Sequence, residues 1–174
     1  IRNGDREASF LGVIDQTKTP MGARLLRDWV ISPLRASADI KYRQLGVKEL
    51  FENAPLRREI RDMLGNIYDM ERIATKISCG RATARDLVSL KQSLSKLPAL
   101  KEKLAFCIAD ILIFLEQQLD ILEEVRILIG TAIVPDPPPT IKEGGLIREG
   151  YDASLDELRY MSKNGKSWIA NFQA

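Results

Sequence analysis

Apolar residues recur at helical spacing along most of this chain, and prolines and glycines divide them into separate segments. The clearest stripe is Leu87, Leu90, Leu94 and Leu97, at positions i, i+3, i+7 and i+10. Such spacing places the side chains on one face of a helix, whereas a strand would need alternation with a period of two. The sequence therefore predicts a mainly α fold in which amphipathic helices share one core.

Capping residues and prolines set the expected helix bounds. Thr19 can cap a helix N-terminus, and Pro20 suits the first helical position because the N–H that it lacks would have no partner there. Thr83 can cap a later helix, with Asp86 at its third position. Five helices are expected, from Pro20 to about Val30, from Ser37 or Asp39 to Asn53, from Pro55 to Cys79 with a kink or break at Gly65 and Asn66, from Thr83 to Leu97, and from Pro98 to Ile129 with Gly130 as the stop.

The last part of the chain has a different pattern. Val134–Pro139 contains four prolines and should be a stiff, extended connector. Residues 141–148 predict a short β-hairpin around Gly144 and Gly145, since both turn positions favour residues that tolerate positive φ. Ser154 and Glu157 form a capping box that should open a C-terminal helix with an apolar stripe, Trp168, Ile169 and Phe172. The absence of an initiator Met and of a stop signal after this stripe predicts that the chain is an interior piece of a longer protein.

Composition excludes several classes of function. The 174 residues are 45% hydrophobic and carry a formal net charge of only +2, which is typical of a globular domain without a global field for nucleic acid or membrane. There are no histidines, and Cys79 and Cys107 are too few for a zinc site, so they are interpreted as buried small hydrophobes in a reduced compartment. Charges interrupt the apolar stretch 106–129, which argues against a membrane span. With no phosphate-binding glycine loop, we expect no active site, cofactor or metal on this chain.

Basic residues cluster at several places, with two competing interpretations. Most clusters mix with acids and are interpreted as structural ion pairs rather than phosphate contacts. Lys163 and Lys166 are kept as weak candidates for nucleic-acid contact, because they lie on a helix expected to project beyond the core. The clusters assigned to structure are Arg57, Arg58 and Arg61, and Arg72, Lys76, Arg81 and Arg85.

A long ordered string resembles the core of the MutS family of DNA mismatch-repair proteins. Residues 13–29, VIDQTKTPMGARLLRDW, are followed by Pro33 and Leu34 in the manner of that family. Two departures are conservative for a helix: Met70 stands where Leu is usual, and Ala84 stands where a Pro often precedes the Arg-Asp-Leu triplet. The resemblance continues at 69–73 (DMERI), 85–87 (RDL), 97–98 (LP), 150–152 (GYD) and 155–159 (LDELR).

The resemblance implies a dimeric, multi-domain DNA clamp with a mismatch reader, a connector, a helical core with levers, a clamp and a C-terminal ATPase. Residues 1–150 would be the first part of the helical core (lever) domain, and residues 151–174 the start of the helix leading into the clamp. ATP and Mg²⁺ would then bind outside this chain. The implied partners are mismatched double-stranded DNA, a second copy of the parent and a MutL-type repair protein, in the bacterial cytoplasm at the nucleoid, with no membrane.

One motif match and one alternative function complete the expectations. Phe114-Leu115-Glu116 has the letters of the family's Phe-x-Glu mismatch reader, but it lies in an amphipathic helix and is interpreted as coincidence, with Leu115 in the core. Trp29 is also expected in the core. The alternative is a helical protein-interaction module unrelated to DNA, with the apolar C-terminal helix as its docking surface.

Overall fold

The computed structural model describes the backbone of residues 9–172 and the side chains of residues 9–165. Across that range the chain is mainly helical and contains no sheet, which confirms the predicted fold class. The helices are α1 (Phe10–Ile14), α2 (Pro20–Ile31), α3 (Ser37–Glu52), α4 (Ala54–Leu64), α5 (Met70–Ser78), α6 (Ala84–Leu94), α7 (Leu97–Leu104), α8 (Asp110–Gln118), α9 (Glu123–Ala132) and α10 (Ala153–Phe172).

Local caps start the first helices where the sequence places them. The Thr19 hydroxyl accepts a hydrogen bond from the Gly22 amide at 3.0 Å, and the side-chain oxygen of Asn53 accepts one from the Leu56 amide at 3.2 Å. The chain breaks after Leu64 as predicted, and Asp69 caps the helix that follows. Each cap satisfies an N–H group that has no partner within its own helix.

The main core lies where α4, α6 and α7 meet. Leu94 and Leu97 of the predicted leucine stripe are buried there together with Ile60, Ile67 and Leu100. A second cluster forms where α9 packs on α6, with Ile129, Ala132 and Ile133 at its centre. The predicted Thr83 cap at the start of α6 is confirmed, and it forms a capping box, because the Thr83 and Asp86 side chains each bind the other's amide.

The predicted single helix from Pro98 to Ile129 is wrong. The first break lies between α7 and α8, where Ala109 takes an extended conformation. The carboxylate of Glu49 in α3 accepts hydrogen bonds from the amides of Ile108 and Ala109, at 2.8 and 2.6 Å. A side chain distant in sequence thus caps the start of α8, and no proline or glycine is needed there.

A second break separates α8 from α9. Lys101 of α7 donates to the Leu119 carbonyl at the end of α8, at 2.8 Å. Leu122 then takes the left-handed conformation, with φ of 48°, and its amide binds the Asp120 carboxylate at 2.9 Å. Gly130 does not end α9, which continues to Ala132 because its last turn is buried against α6.

The predicted β-hairpin is also wrong. Residues 141–143 form a short 3₁₀ turn, closed by the Glu143 carboxylate on the Thr140 hydroxyl at 2.7 Å. Gly144 and Gly145 both have positive φ, as their composition favours. Ile147 nevertheless forms its single antiparallel bridge with Ile133, because the end of α9 offers an unpaired backbone edge nearby.

Three side chains expected in the core lie outside it. Trp29 is 39% exposed, since the second half of α2 extends beyond the packed helices, and the Arg43 guanidinium covers its ring at 3.5 Å. Leu115 is 48% exposed, because α8 buries the neighbouring Leu112 instead. Cys79 is exposed where the chain turns after α5, whereas Cys107 is buried as predicted.

Candidate functional site: the root of the C-terminal helix

The C-terminal helix leaves the core directly after the β-bridge between Ile133 and Ile147. Two further backbone hydrogen bonds flank this bridge, from the Val134 amide to the Leu146 carbonyl at 3.0 Å and from the Arg148 amide to the Ala132 carbonyl at 2.8 Å. The 20 residues of α10 correspond to a rod of about 30 Å at 1.5 Å per residue. Leu158, Tyr160, Met161 and Lys163 are all exposed, so this helix projects from the body.

Two arginines fasten the two sides of the bridge. The Arg148 Nε donates to the Ile133 carbonyl at 2.8 Å, and an Arg159 Nη donates to the Ile147 carbonyl at 2.9 Å. Hydrogen bonds from a charged donor are stronger than neutral ones. Arg159 belongs to α10, so its bond ties the first turns of the projecting helix to the bridge.

Asp156 completes this connection. One of its carboxylate oxygens accepts from Arg159 at 3.1 Å, and the other accepts from the Gly150 amide at 2.6 Å. Gly150 has φ of 83°, a conformation that side chains with a Cβ rarely adopt. The loop before α10 is therefore held to the helix by the same carboxylate that orients Arg159.

The predicted cap of α10 is displaced by two residues. Asp152 accepts from the Leu155 amide at 2.9 Å and precedes the first helical residue, Ala153. Ser154, the predicted cap, lies inside the first turn. The capping-box pattern identified the right helix, but an aspartate two residues earlier reaches the free N–H groups first.

Further contacts join this root to α6 and α9. Arg85 of α6 donates to the Pro137 carbonyl at 2.9 Å, which fixes the proline-rich connector to that helix. Ile147 packs on the buried cluster at the end of α9, opposite Leu87 and Val88 of α6. We call the set Arg85, Pro137, Arg148, Asp156 and Arg159, with the bridge, the root of α10.

The lysines proposed for nucleic acid are placed only in part. Lys163 is exposed on α10, whereas the side chain of Lys166 lies outside the described residues, as do those of Trp168, Ile169 and Phe172. The prediction for these two lysines stays a prediction.

The other basic clusters make structural contacts, but among the described residues only Lys76 forms the ion pair that was predicted for them. Lys76 binds Asp86 at 2.6 Å, and this hydrogen bond, with those from Thr83, holds the pKa of Asp86 below its usual range. Arg57 donates to the Leu50 and Phe51 carbonyls near the end of α3. Lys76 thus pairs with a carboxylate, and Arg57 binds carbonyl groups at a helix terminus.

The mixed-sign string that begins at Asp69 also forms ion pairs. Arg24 of α2 bridges Asp69 at 2.7 Å and Glu71 at 2.6 Å. The hydrogen bond from Arg24 is the main reason that the pKa of Asp69 is lowered. The two acids of the string thus form structural ion pairs, but with Arg24; Arg72 joins no ion pair among the described residues.

Neither a metal centre nor a membrane span is found in the part of the chain that the structure describes. Its Cys, Asp and Glu side chains form no group that could hold a metal ion. Its helices are too short or too polar to cross a bilayer. The described chemistry at the root is hydrogen bonding and charge pairing.

Fold and root together define a helical core domain from which one anchored helix projects. The chain belongs to the MutS family: the family model described as MutS domain III matches residues 1–171. This confirms the resemblance found in the sequence. The family match also favours this family over the alternative of an unrelated interaction module.

Three relatives, each named DNA mismatch repair protein MutS, show the extent of the likeness. Those of Acetivibrio thermocellus and Symbiobacterium thermophilum are 43% and 42% identical over 174 residues, covering 100% of this chain and 20% of the relative. That of Pelotomaculum thermopropionicum is 45% identical, covering 99% of this chain and 20% of the relative. The chain therefore spans about one fifth of the length of these relatives.

Sequence reasoning missed the contacts that form the root. Asp156 and Arg159 stand three apart on one helix, a spacing that predicts an ion pair. Their other partners, the Ile147 carbonyl and the Gly150 amide, are backbone groups whose position depends on the bridge. The proximity of these groups to α10 has no signal in the pattern of side chains.

Proposed function

We propose that this chain is a mechanical element of a MutS-type mismatch-repair protein, linking its ATPase to the clamp that surrounds DNA. The observation that carries the proposal is the root of α10, where Arg159 fastens the projecting helix to the bridge and to Asp156. A helix held in this way moves with α6 and α9 as one body. A flexible joint would absorb the displacement instead.

The length of α10 gives the linkage a useful amplitude. A rotation of the root by about 10° would displace the far end of a 30 Å helix by about 5 Å. Small rearrangements in the packed helices thus become a movement large enough to open or close a contact with a duplex. The direction of this movement is set by where the root holds the helix.

The remaining activities belong, in this proposal, to the whole protein. The chain itself has no active site, and ATP with Mg²⁺ binds in the ATPase outside it. The parent acts as a dimer on mismatched double-stranded DNA in the bacterial cytoplasm and hands over to a MutL-type partner. The division between core and clamp stem at residue 150 is part of the same proposal.

The test is Arg159→Ala in the full-length parent, with Tyr160→Ala as the control on the same helix, since Tyr160 is 70% exposed. Loss of the Arg159 bonds should leave basal ATP turnover in place and slow the ATP-dependent release from a mismatched duplex. The proposal fails if release is unchanged, or if both variants change it equally. A parallel fall in ATP turnover and release would show damage to the ATPase rather than lost coupling.

The contribution of the candidate lysines is measured separately. Lys163→Glu with Lys166→Glu should weaken binding of the parent to DNA and reduce its dependence on salt, because counterion release scales with the number of phosphate contacts. Arg58→Glu is the control, since its Nε binds the Ala54 carbonyl within α4. Equal effects from both changes would remove Lys163 and Lys166 as specific candidates.

A further inference from the structure

The second half of α2 and the first half of α3 extend away from the packed core. We call residues 27–45, with the loop between the two helices, the arm. Within the arm only Leu34 and Arg43 are partly buried, and every other residue is exposed. The arm is nonetheless built of regular helix up to Ile31 and from Ser37 onwards, and the Arg43 guanidinium stacked on the Trp29 ring connects its two helices.

The arm carries more apolar surface than a solvated helix pair should. A helix surrounded by water is normally polar on all sides, and contiguous apolar patches on a protein surface usually mark contacts. Ile31 and Leu45 are the most open of these side chains, at 66% and 54% exposure. The exposed large apolar residues of the arm are Trp29, Val30, Ile31, Ile40, Tyr42 and Leu45.

The charge of the arm indicates what kind of surface would cover it. Four cationic side chains, Arg27, Arg35, Lys41 and Arg43, stand against two acids, Asp28 and Asp39. In the described part of the chain none of these six side chains joins an ion pair. A complementary surface would be apolar at its centre and carry carboxylates around it.

We propose that the arm docks on another domain of the same polypeptide through an apolar surface with an acidic rim. The relatives are about five times as long as this chain, so four fifths of such a protein remains to supply the surface. A two-fold contact between two copies of the arm would bring cationic side chains together, which disfavours self-association. The docked arm would anchor α2 and α3 at one end of the domain while α10 leaves at the root.

The test compares backbone amide exchange of residues 30–42 in the isolated chain and in the full-length parent. Exchange across the arm should be at least about tenfold slower in the parent, because docking adds to the free energy of local opening. Ile31→Asp should abolish this difference with only a small change in the melting temperature of the isolated chain, because Ile31 is 66% exposed there. Lys48→Asp, on α3 but outside the arm, should leave the difference intact.

Two outcomes would overturn the proposal. Equal exchange of the arm in the isolated chain and in the parent would mean that no other domain covers it. Exchange that slows with rising concentration of the isolated chain, and recovers with Ile31→Asp, would assign the arm to contact between copies.

Discussion

Glu49 decides where α8 begins, and its removal gives the sharpest test of the fold. In Glu49→Ala the amides of Ile108 and Ala109 lose acceptors at 2.8 and 2.6 Å. The Ile108 amide is in an exposed position, so water replaces its lost partner. The Ala109 amide is partly buried, so water replaces its lost acceptor less completely.

The magnitude follows from that difference. A hydrogen bond to a charged group contributes about 1.5–3 kcal/mol, and an exposed one is largely recovered by water. We therefore expect Glu49→Ala to lower the free energy of unfolding by about 2–3 kcal/mol, most of it from Ala109. For a domain of this size that corresponds to a fall in melting temperature of roughly 4–12 °C.

Chemical denaturation followed by circular dichroism measures this loss, with Glu52→Ala as the matched control. Glu52 lies one turn further along α3, and its only described ion pair, with Lys48, is an exposed contact at 3.9 Å. Its removal should cost less than about 0.5 kcal/mol. Equal destabilisation by the two changes would refute the capping role of Glu49.

Cys107 provides an independent readout of the same carboxylate. Burial raises the pKa of this thiol first, and the charge of Glu49 and its hydrogen bond raise it further. Glu49→Gln removes the charge and keeps the shape, so the pKa of Cys107 should fall and its reaction with thiol reagents at pH 8 should speed up. An unchanged profile of reaction rate against pH would show that Glu49 does not face Cys107 in solution.

Three further changes probe the packing and the charges. Gly46→Ala should lower the free energy of unfolding by about 1–2 kcal/mol, because the new Cβ would lie 2.5 Å from a side chain of α8 and overpacking outweighs the gain in helix propensity. Gly165→Ala is the control, since its Cβ would lie in open space and should not destabilise the protein. Ser93→Ala should cost about 1–2 kcal/mol, since the Tyr68 amide loses the hydroxyl acceptor at 3.0 Å; an unchanged denaturation midpoint would contradict this. The lowered pKa of Asp86 adds stability above the unfolded value of about 3.9, so the melting temperature should fall as pH drops below about 4, and Asp86→Asn should flatten that fall.

The helix starts that the sequence predicted correctly depend on hydrogen bonds between residues close together in the sequence. Thr19 and Thr83 each cap an amide three residues away, and Pro20 begins the helix beside its cap. Donor and acceptor are then neighbours whatever the rest of the chain does. The same reasoning found the break after Leu64 and the leucine stripe that forms the core.

Only the tertiary structure decided the breaks in the segment after Pro98. Its residues from 99 to 129 include no proline or glycine, so local preference favours one continuous helix. Glu49 is 59 and 60 residues from the two amides that it caps. Leu122 adopts a left-handed conformation that its own side chain disfavours.

At the root of α10, too, the sequence predicted some features and only the structure showed the others. The sequence located the helix and the family to which the chain belongs, although it placed the cap at Ser154 instead of Asp152. It did not locate the partners of Arg148 and Arg159, which are backbone carbonyls on the two sides of one bridge. A carbonyl is present at every residue, so only the folded path of the chain determines which of them an arginine reaches.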